Sequence, residues 1–161
     1  MTTKTIIFLY SFHHGNTKKI ANAIAPEINA QILNVNEIDI ESIDFSALEE
    51  YELIGFGSGI DSGKHYQLLF DFTEKLPPVK NKKAFIFSTS GIYNEKQMES
   101  NHKTLRNILQ NKGFVIVGEF GYAGYNTNSF LKYFGGMNKG RPNAEDFKNA
   151  AEFAKGLMSE K

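Results

Sequence analysis

Ser11-Phe12-His13-His14-Gly15-Asn16-Thr17 gathers hydroxyls, imidazoles and an amide around one glycine, directly after an apolar run. That run lies within Lys4 to Tyr10 and reads as a buried strand, since Thr5-Ile6-Ile7-Phe8-Leu9 is continuous, β-branched and aromatic. A helical pattern opens at about Asn16. Strand, small polar loop and helix start, in that order, make an anion site. Backbone N–H groups without helical partners, and the positive end of the helix dipole, point into the loop. Ser11, His13 or His14, Gly15, Asn16 and Thr17 add donors or room, so the chemistry these residues suit is holding a phosphate.

The phosphate is not that of a nucleoside triphosphate bound in the Walker manner. That pattern needs Gly-Lys-Ser/Thr, and the chain reads Gly15-Asn16-Thr17-Lys18. A dinucleotide fingerprint needs three spaced glycines, and the first loop has only Gly15. The glycines of Gly57-Ser58-Gly59-Ile60-Asp61-Ser62-Gly63 come close, with one residue too many before the third. A phosphoryl receiver would need an acidic cluster where Ser11, Phe12 and His13 stand. No carboxylate accompanies His13, His14 and His65 at metal-ligand spacing, so a metal site there has no support.

The elements that must position this loop are legible as alternating periods. After the first strand, Ile20, Ala21, Ile24 and Ile28 recur at helical spacing, and Pro26 ends or kinks that helix near Ala25. Gln31 to Asn36 alternates as a strand, and the acidic stretch Asn36 to Glu50 reads as a long surface loop. Leu53 to Gly57 and Ala84 to Phe87 are buried runs, and Leu68, Leu69, Phe72 and Leu76 mark a helix between them that stops at Pro77-Pro78. Met98, Leu105, Ile108 and Leu109 mark another helix, ended by Gly113, before a last strand from Phe114 to Phe120. Asn143 caps a final helix whose core face carries Phe147, Ala150, Ala151, Ala154 and Leu157. The pattern predicts one α/β domain over residues 1–161, a three-layer sandwich around a mostly parallel sheet. Ligands of such sheets bind beyond the strands' C-terminal ends.

Composition narrows the function. Eighteen basic and eighteen acidic residues balance, which gives no steering toward nucleic acid or anionic membrane. There is no cysteine, so disulfides, iron–sulfur clusters and thiol chemistry are excluded together. No segment approaches the roughly 20 apolar residues of a membrane span and no signal peptide is visible, so the expected location is cytoplasmic.

The Gly15-Asn16-Thr17 triplet after a first strand resembles the phosphate loop of the flavodoxin-like FMN proteins. So do the second loop after Phe56, the third loop Ser88-Thr89-Ser90-Gly91-Ile92-Tyr93-Asn94, and the helix entry Asn138-Lys139-Gly140-Arg141-Pro142-Asn143. The resemblance covers nearly the whole chain. It implies a five-stranded parallel sheet of order 2-1-3-4-5 and FMN as cofactor. It implies that Ser58, Gly59 and Ile60 approach the flavin edge, that Thr89, Ser90 and Gly91 contact the ring, and that Tyr93 is a stacking partner. Where many relatives place an aromatic over the ring, this chain has Asp61 and Ser62. One face is then bare, or covered by Tyr66, Tyr122, Tyr125 or a second copy in a homodimer.

The leading expectation is electron transfer to redox partner proteins. The rival is an NAD(P)H-dependent FMN oxidoreductase acting on quinones or a similar small-molecule electron acceptor; the neutral charge favours it, because electron-carrying flavodoxins are usually acidic. Lys64 and His65 read as a solvated pair, and His102 reads as a packed helix residue beside Met98, Leu105 and Leu109.

Overall fold

A computed structural model describes residues 4–11, 15–37, 39–61, 63–90, 95–123 and 143–159. Strand β1 (Thr5–Tyr10) is buried on both faces up to its last residue, as its unbroken apolar run requires. It pairs in parallel with β2 (Ala30–Asn34) on one side and β3 (Leu53–Asp61) on the other. Beyond β3 lie β5 (Lys82–Ser90) and β6 (Phe114–Ala123), also parallel. The order β2-β1-β3-β5-β6 is the expected 2-1-3-4-5 when only these long strands are counted. A sixth strand, β4 (Lys64–His65), has no counterpart in the sequence reading. It turns back antiparallel on the end of β3, with Ile60 opposite His65. Two residues are too short to show a period.

Helices cover both faces. Alternate residues along each strand feed separate cores, because side chains alternate across a pleated sheet. Ile6, Phe8, Ile54, Phe56 and Ile86 pack with Leu69 and Phe72 of α2 (Gln67–Glu74) and Leu105 and Leu109 of α3 (Glu95–Asn111). Ile7, Leu9, Phe85, Phe87 and Phe120 pack with Ile20 and Ile24 of α1 (Asn16–Ile24) and Ala150 and Ala154 of α4 (Ala144–Ser159).

Local chemistry sets the boundaries. α1 stops at Ile24, and Pro26 enters a 3-10 turn, Ala25–Glu27, where its missing N–H costs nothing. α4 opens on a reciprocal cap: Asn143 Oδ1 accepts from the Asp146 amide at 3.0 Å, and Asp146 Oδ2 accepts from the Asn143 amide at 2.9 Å. The stretch expected to be a long surface loop holds two 3-10 turns, Ile40–Ser42 and Phe45–Glu50. Leu48 pulls the second of these into the core, and the partly buried Phe45 and Tyr51 pack against the same cluster.

Candidate functional site

The chain crosses from β1 to β2 on one side of the sheet and returns to β3 on the other. The C-terminal ends of β1 and β3 therefore open the crevice where ligands of such sheets bind.

The first strand end carries the anion loop. Ser11 Oγ accepts from the Lys18 amide at 3.4 Å, which ties the loop's start to α1. Gly15 holds the left-handed conformation (φ 67°, ψ 26°) at the helix N-cap, and its carbonyl accepts the Lys19 amide at 3.0 Å. Among the described residues, no side chain caps α1, no acid sits in its first turn, and nothing lies within 4 Å of a Cβ on Gly15. The helix's positive end is thus available to an anion. Asn16 is the first helical residue, and Thr17 is 2% exposed. The Thr17 hydroxyl lies 2.9 Å from that of Thr89, across 72 residues of sequence. Each hydroxyl carries one proton, and one bond between them uses one, so the pair keeps a donor to give outward. His13 and His14 lie outside the described residues.

The second strand end corrects the sequence reading. Ser58, Gly59 and Ile60 are not in a loop; β3 continues through them to Asp61, in register with Tyr10, Ser88 and Thr89. Ser58 is fully buried. Its hydroxyl donates to the Gly59 carbonyl at 2.7 Å and accepts from the Tyr66 amide at 3.2 Å. The glycines here make room for the protein's own rings. A Cβ on Gly57 would stand 2.4 Å from the tip of Phe87, and one on Gly59 would stand 2.9 Å from Tyr66. Tyr66 meets Tyr10 edge-on at 5.2 Å, so it is the aromatic that the fold sets at this strand end. Ser62, Tyr125 and the side chains of Asp61 and Tyr122 lie outside what is described.

The third strand end, Ser88 to Ser90, finishes β5. Thr89 joins the first loop through Thr17, and Ser90 is part-exposed. Gly91 and Tyr93 lie outside the described residues.

Beneath these ends sits a polar cluster that sequence reasoning missed. His65 is 1% exposed, so the solvated reading of Lys64-His65 holds for the lysine alone. His65 Nε2 donates to the Phe87 carbonyl at 3.1 Å, and its Nδ1 has no partner among the described residues. Burial, reinforced by the neighbouring His102, pulls its pKa down to about 3, so the ring is neutral. His102, packed as expected with no exposed surface, is also wired: Nε2 lies 2.7 Å from Ser88 Oγ, and Nδ1 donates to Glu119 at 2.9 Å. Arg106 Nε and Nη2 grip the same carboxylate at 2.8 and 2.9 Å. Burial raises the Glu119 pKa, but the bonds from His102 and Arg106 outweigh it and hold the pKa at about 2. The Glu119 carboxylate in turn raises the Arg106 pKa. Glu119 looks like any strand glutamate in sequence; only the pairing of β6 beside β5 brings it under α3.

Among the described residues, no group of three or more His, Cys, Asp or Glu side chains could hold a metal ion. No described helix is long and apolar enough to cross a membrane.

A family model described as a flavodoxin domain matches residues 7–156. The chain belongs to the flavodoxin domain family. Its relatives include an uncharacterized protein of Methanocaldococcus jannaschii, 49% identical over 155 residues, which covers 96% of this chain and 98% of that one. A flavodoxin of Aquifex aeolicus is 27% identical over 153 residues, 90% of this chain and 80% of its own. Among solved structures, oxidised flavodoxin 2 of Bacillus cereus shares the fold with a TM-score of 0.69 at 17% identity, over 98% of this chain and 99% of that one. Rubredoxin oxygen:oxidoreductase of Desulfovibrio gigas matches with a TM-score of 0.66 at 18% identity, over 97% of this chain but 37% of the larger one. The same fold therefore spans nearly all of the one solved chain and 37% of the other.

Proposed function

We propose that this flavodoxin-domain protein binds FMN and transfers electrons to a redox partner protein. One observation carries the reading. The anion loop and the third strand end meet through the Thr17–Thr89 hydroxyl pair, so a phosphate on the first lies beside a ring on the second. The donor set fits the group: the helix start at Gly15 and Asn16 for a terminal phosphate, and the part-exposed Ser90, with Tyr66 against Tyr10 at the neighbouring strand ends, for a flat ring. FMN supplies the redox chemistry, taking up and releasing one or two electrons. Ser11 and Gly15 shape the phosphate loop, α1 stabilises the dianion through its dipole, and the strand ends orient the ring.

With one phosphate site and no second glycine-rich phosphate loop, the protein is expected to bind FMN much more tightly than riboflavin or FAD. Titration monitored by flavin fluorescence checks this, and equal affinity for FMN and riboflavin would sink the phosphate loop. Thr17→Ala removes one hydroxyl of the coupled pair. A hydrogen bond to a charged group contributes about 1.5–3 kcal/mol, so FMN affinity is expected to fall roughly 10- to 100-fold. Thr17→Ser should keep most of it, and an unchanged dissociation constant in Thr17→Ala would limit Thr17 to a helix residue.

The balanced charge, 18 basic against 18 acidic residues, favours a second reading, an NAD(P)H-dependent FMN oxidoreductase with a quinone-like acceptor. Turnover of NAD(P)H with a soluble quinone by the flavin-loaded protein separates the two: a carrier shows none.

A further inference from the structure

Three consecutive residues of β5 are each held by a buried side chain from a different element. The Phe87 carbonyl accepts from His65 of β4 at 3.1 Å. The Ser88 hydroxyl meets His102 of α3 at 2.7 Å. The Thr89 hydroxyl meets Thr17 of α1 at 2.9 Å. Yet β5 is already paired with β3 as far as Thr89 and with β6 as far as Ser90. The strand needs none of these bonds to stay in the sheet. Burying imidazoles and hydroxyls costs desolvation that apolar side chains of similar size would avoid. The same strand two residues earlier, at Phe85 and Ile86, is held by apolar packing alone. The buried polar side chains His65, His102 and Thr17 grip β5 at the end that leads into the third loop.

We propose that His102 is a positioning residue for the flavin ring, fixing through Ser88 the end of β5 that presents Thr89 and Ser90. This role rests on the FMN reading above. The chain of orientation begins at the surface. Arg106 locks both oxygens of Glu119, and Glu119 takes the Nδ1 proton of His102. With Nδ1 committed to Glu119, Nε2 is left facing the Ser88 hydroxyl at 2.7 Å, and that bond fixes where the hydroxyl points. His65 packs its ring 4.9 Å from that of His102 and holds the preceding carbonyl. The connected run from Arg106 through Glu119 and His102 to Ser88 rigidifies its members more than separate bonds would.

The test uses Ser88→Ala, His102→Leu and His102→Gln in the full chain. Amide hydrogen exchange is read without flavin, and FMN and riboflavin affinities are read by titration. Ser88→Ala and His102→Leu are expected to speed exchange at residues 88–90 and leave residues 5–10 unchanged. Both variants should weaken FMN and riboflavin by the same factor, about 10-fold, because the clamp serves the ring and not the phosphate. His102→Gln keeps a donor for Glu119 and an acceptor for Ser88, and should recover most of the affinity. A role in packing alone predicts the opposite order, with leucine better tolerated than glutamine in this buried setting. Parental flavin affinity in Ser88→Ala, unchanged exchange at 88–90, or leucine outperforming glutamine each overturns the role while FMN binding stands. A parent protein that binds neither flavin overturns the FMN reading, and the role falls with it.

Discussion

Gly113→Ala is expected to lower the melting temperature by at least about 6 °C, or to prevent folding. Gly113 has φ 104°, where an L side chain is strained, and a Cβ there would stand 1.8 Å from the Val79 carbonyl oxygen. That oxygen belongs to backbone, which cannot step aside as a side-chain tip can. The same place stitches α3 to the segment before β5: the Val79 amide donates to the Lys112 carbonyl at 2.7 Å, and Lys112 Nζ donates to the Leu76 carbonyl at 2.7 Å. Moving Val79 breaks this stitch. Strain and displaced backbone together place the cost at about 3 kcal/mol or more, and each kcal/mol shifts the melting point about 2–4 °C in a domain of this size. Gly156→Ala is the control. It lies in α4 with open space at its Cβ, so alanine should stabilise by about 0.5–1 kcal/mol. Calorimetry of the two variants checks both signs, and a parental melting point for Gly113→Ala would refute the account of this turn.

Stability should also fall steadily as the pH drops below about 6.5, the ordinary histidine value. His65 is held neutral by burial with a pKa of about 3, with His102 on α3 and Glu119 on β6 as its ionisable neighbours. Between those values the unfolded chain binds a proton that the folded chain refuses, so acid favours unfolding. Glu119 adds to this lower down. Its pKa falls from an ordinary 4.5 to about 2, so between these values the unfolded carboxylate protonates first and its bonds to His102 and Arg106 stop favouring the fold. Both groups act with the same sign, in overlapping windows. His65→Gln keeps a donor for the Phe87 carbonyl and removes the titration. Its stability should be flat from pH 6.5 to about 4.5 and then fall with Glu119. Urea midpoints across pH 4 to 8 give the comparison. Parallel curves for parent and variant would clear His65 of the effect.

Much of this molecule is written in local pattern. The unbroken apolar run of β1, the Pro26 break, the Gly113 stop and the Asn143 cap are each decided by residues within a few positions, and each lies where the periodicity puts it. The anion loop is legible for the same reason, since a strand, a glycine and a helix start are neighbours in sequence. What local pattern cannot carry is which distant residues the sheet sets side by side. The space over Gly57 and Gly59 is taken by Phe87 and Tyr66, which the parallel pairing of β3 with β5 and the turn at Tyr66 bring there. Thr17 and Thr89 are 72 residues apart and share a hydrogen bond only because the sheet's register sets the end of β1, at Tyr10, level with Ser58 and Ser88, one residue before Thr89. Glu119 finds His102 only because β6 lies outside β5 and under α3. Periodicity reports which face of an element is buried, and it carries no register between elements. The buried polar contacts at the head of this sheet depend on register, so tertiary structure alone decides them.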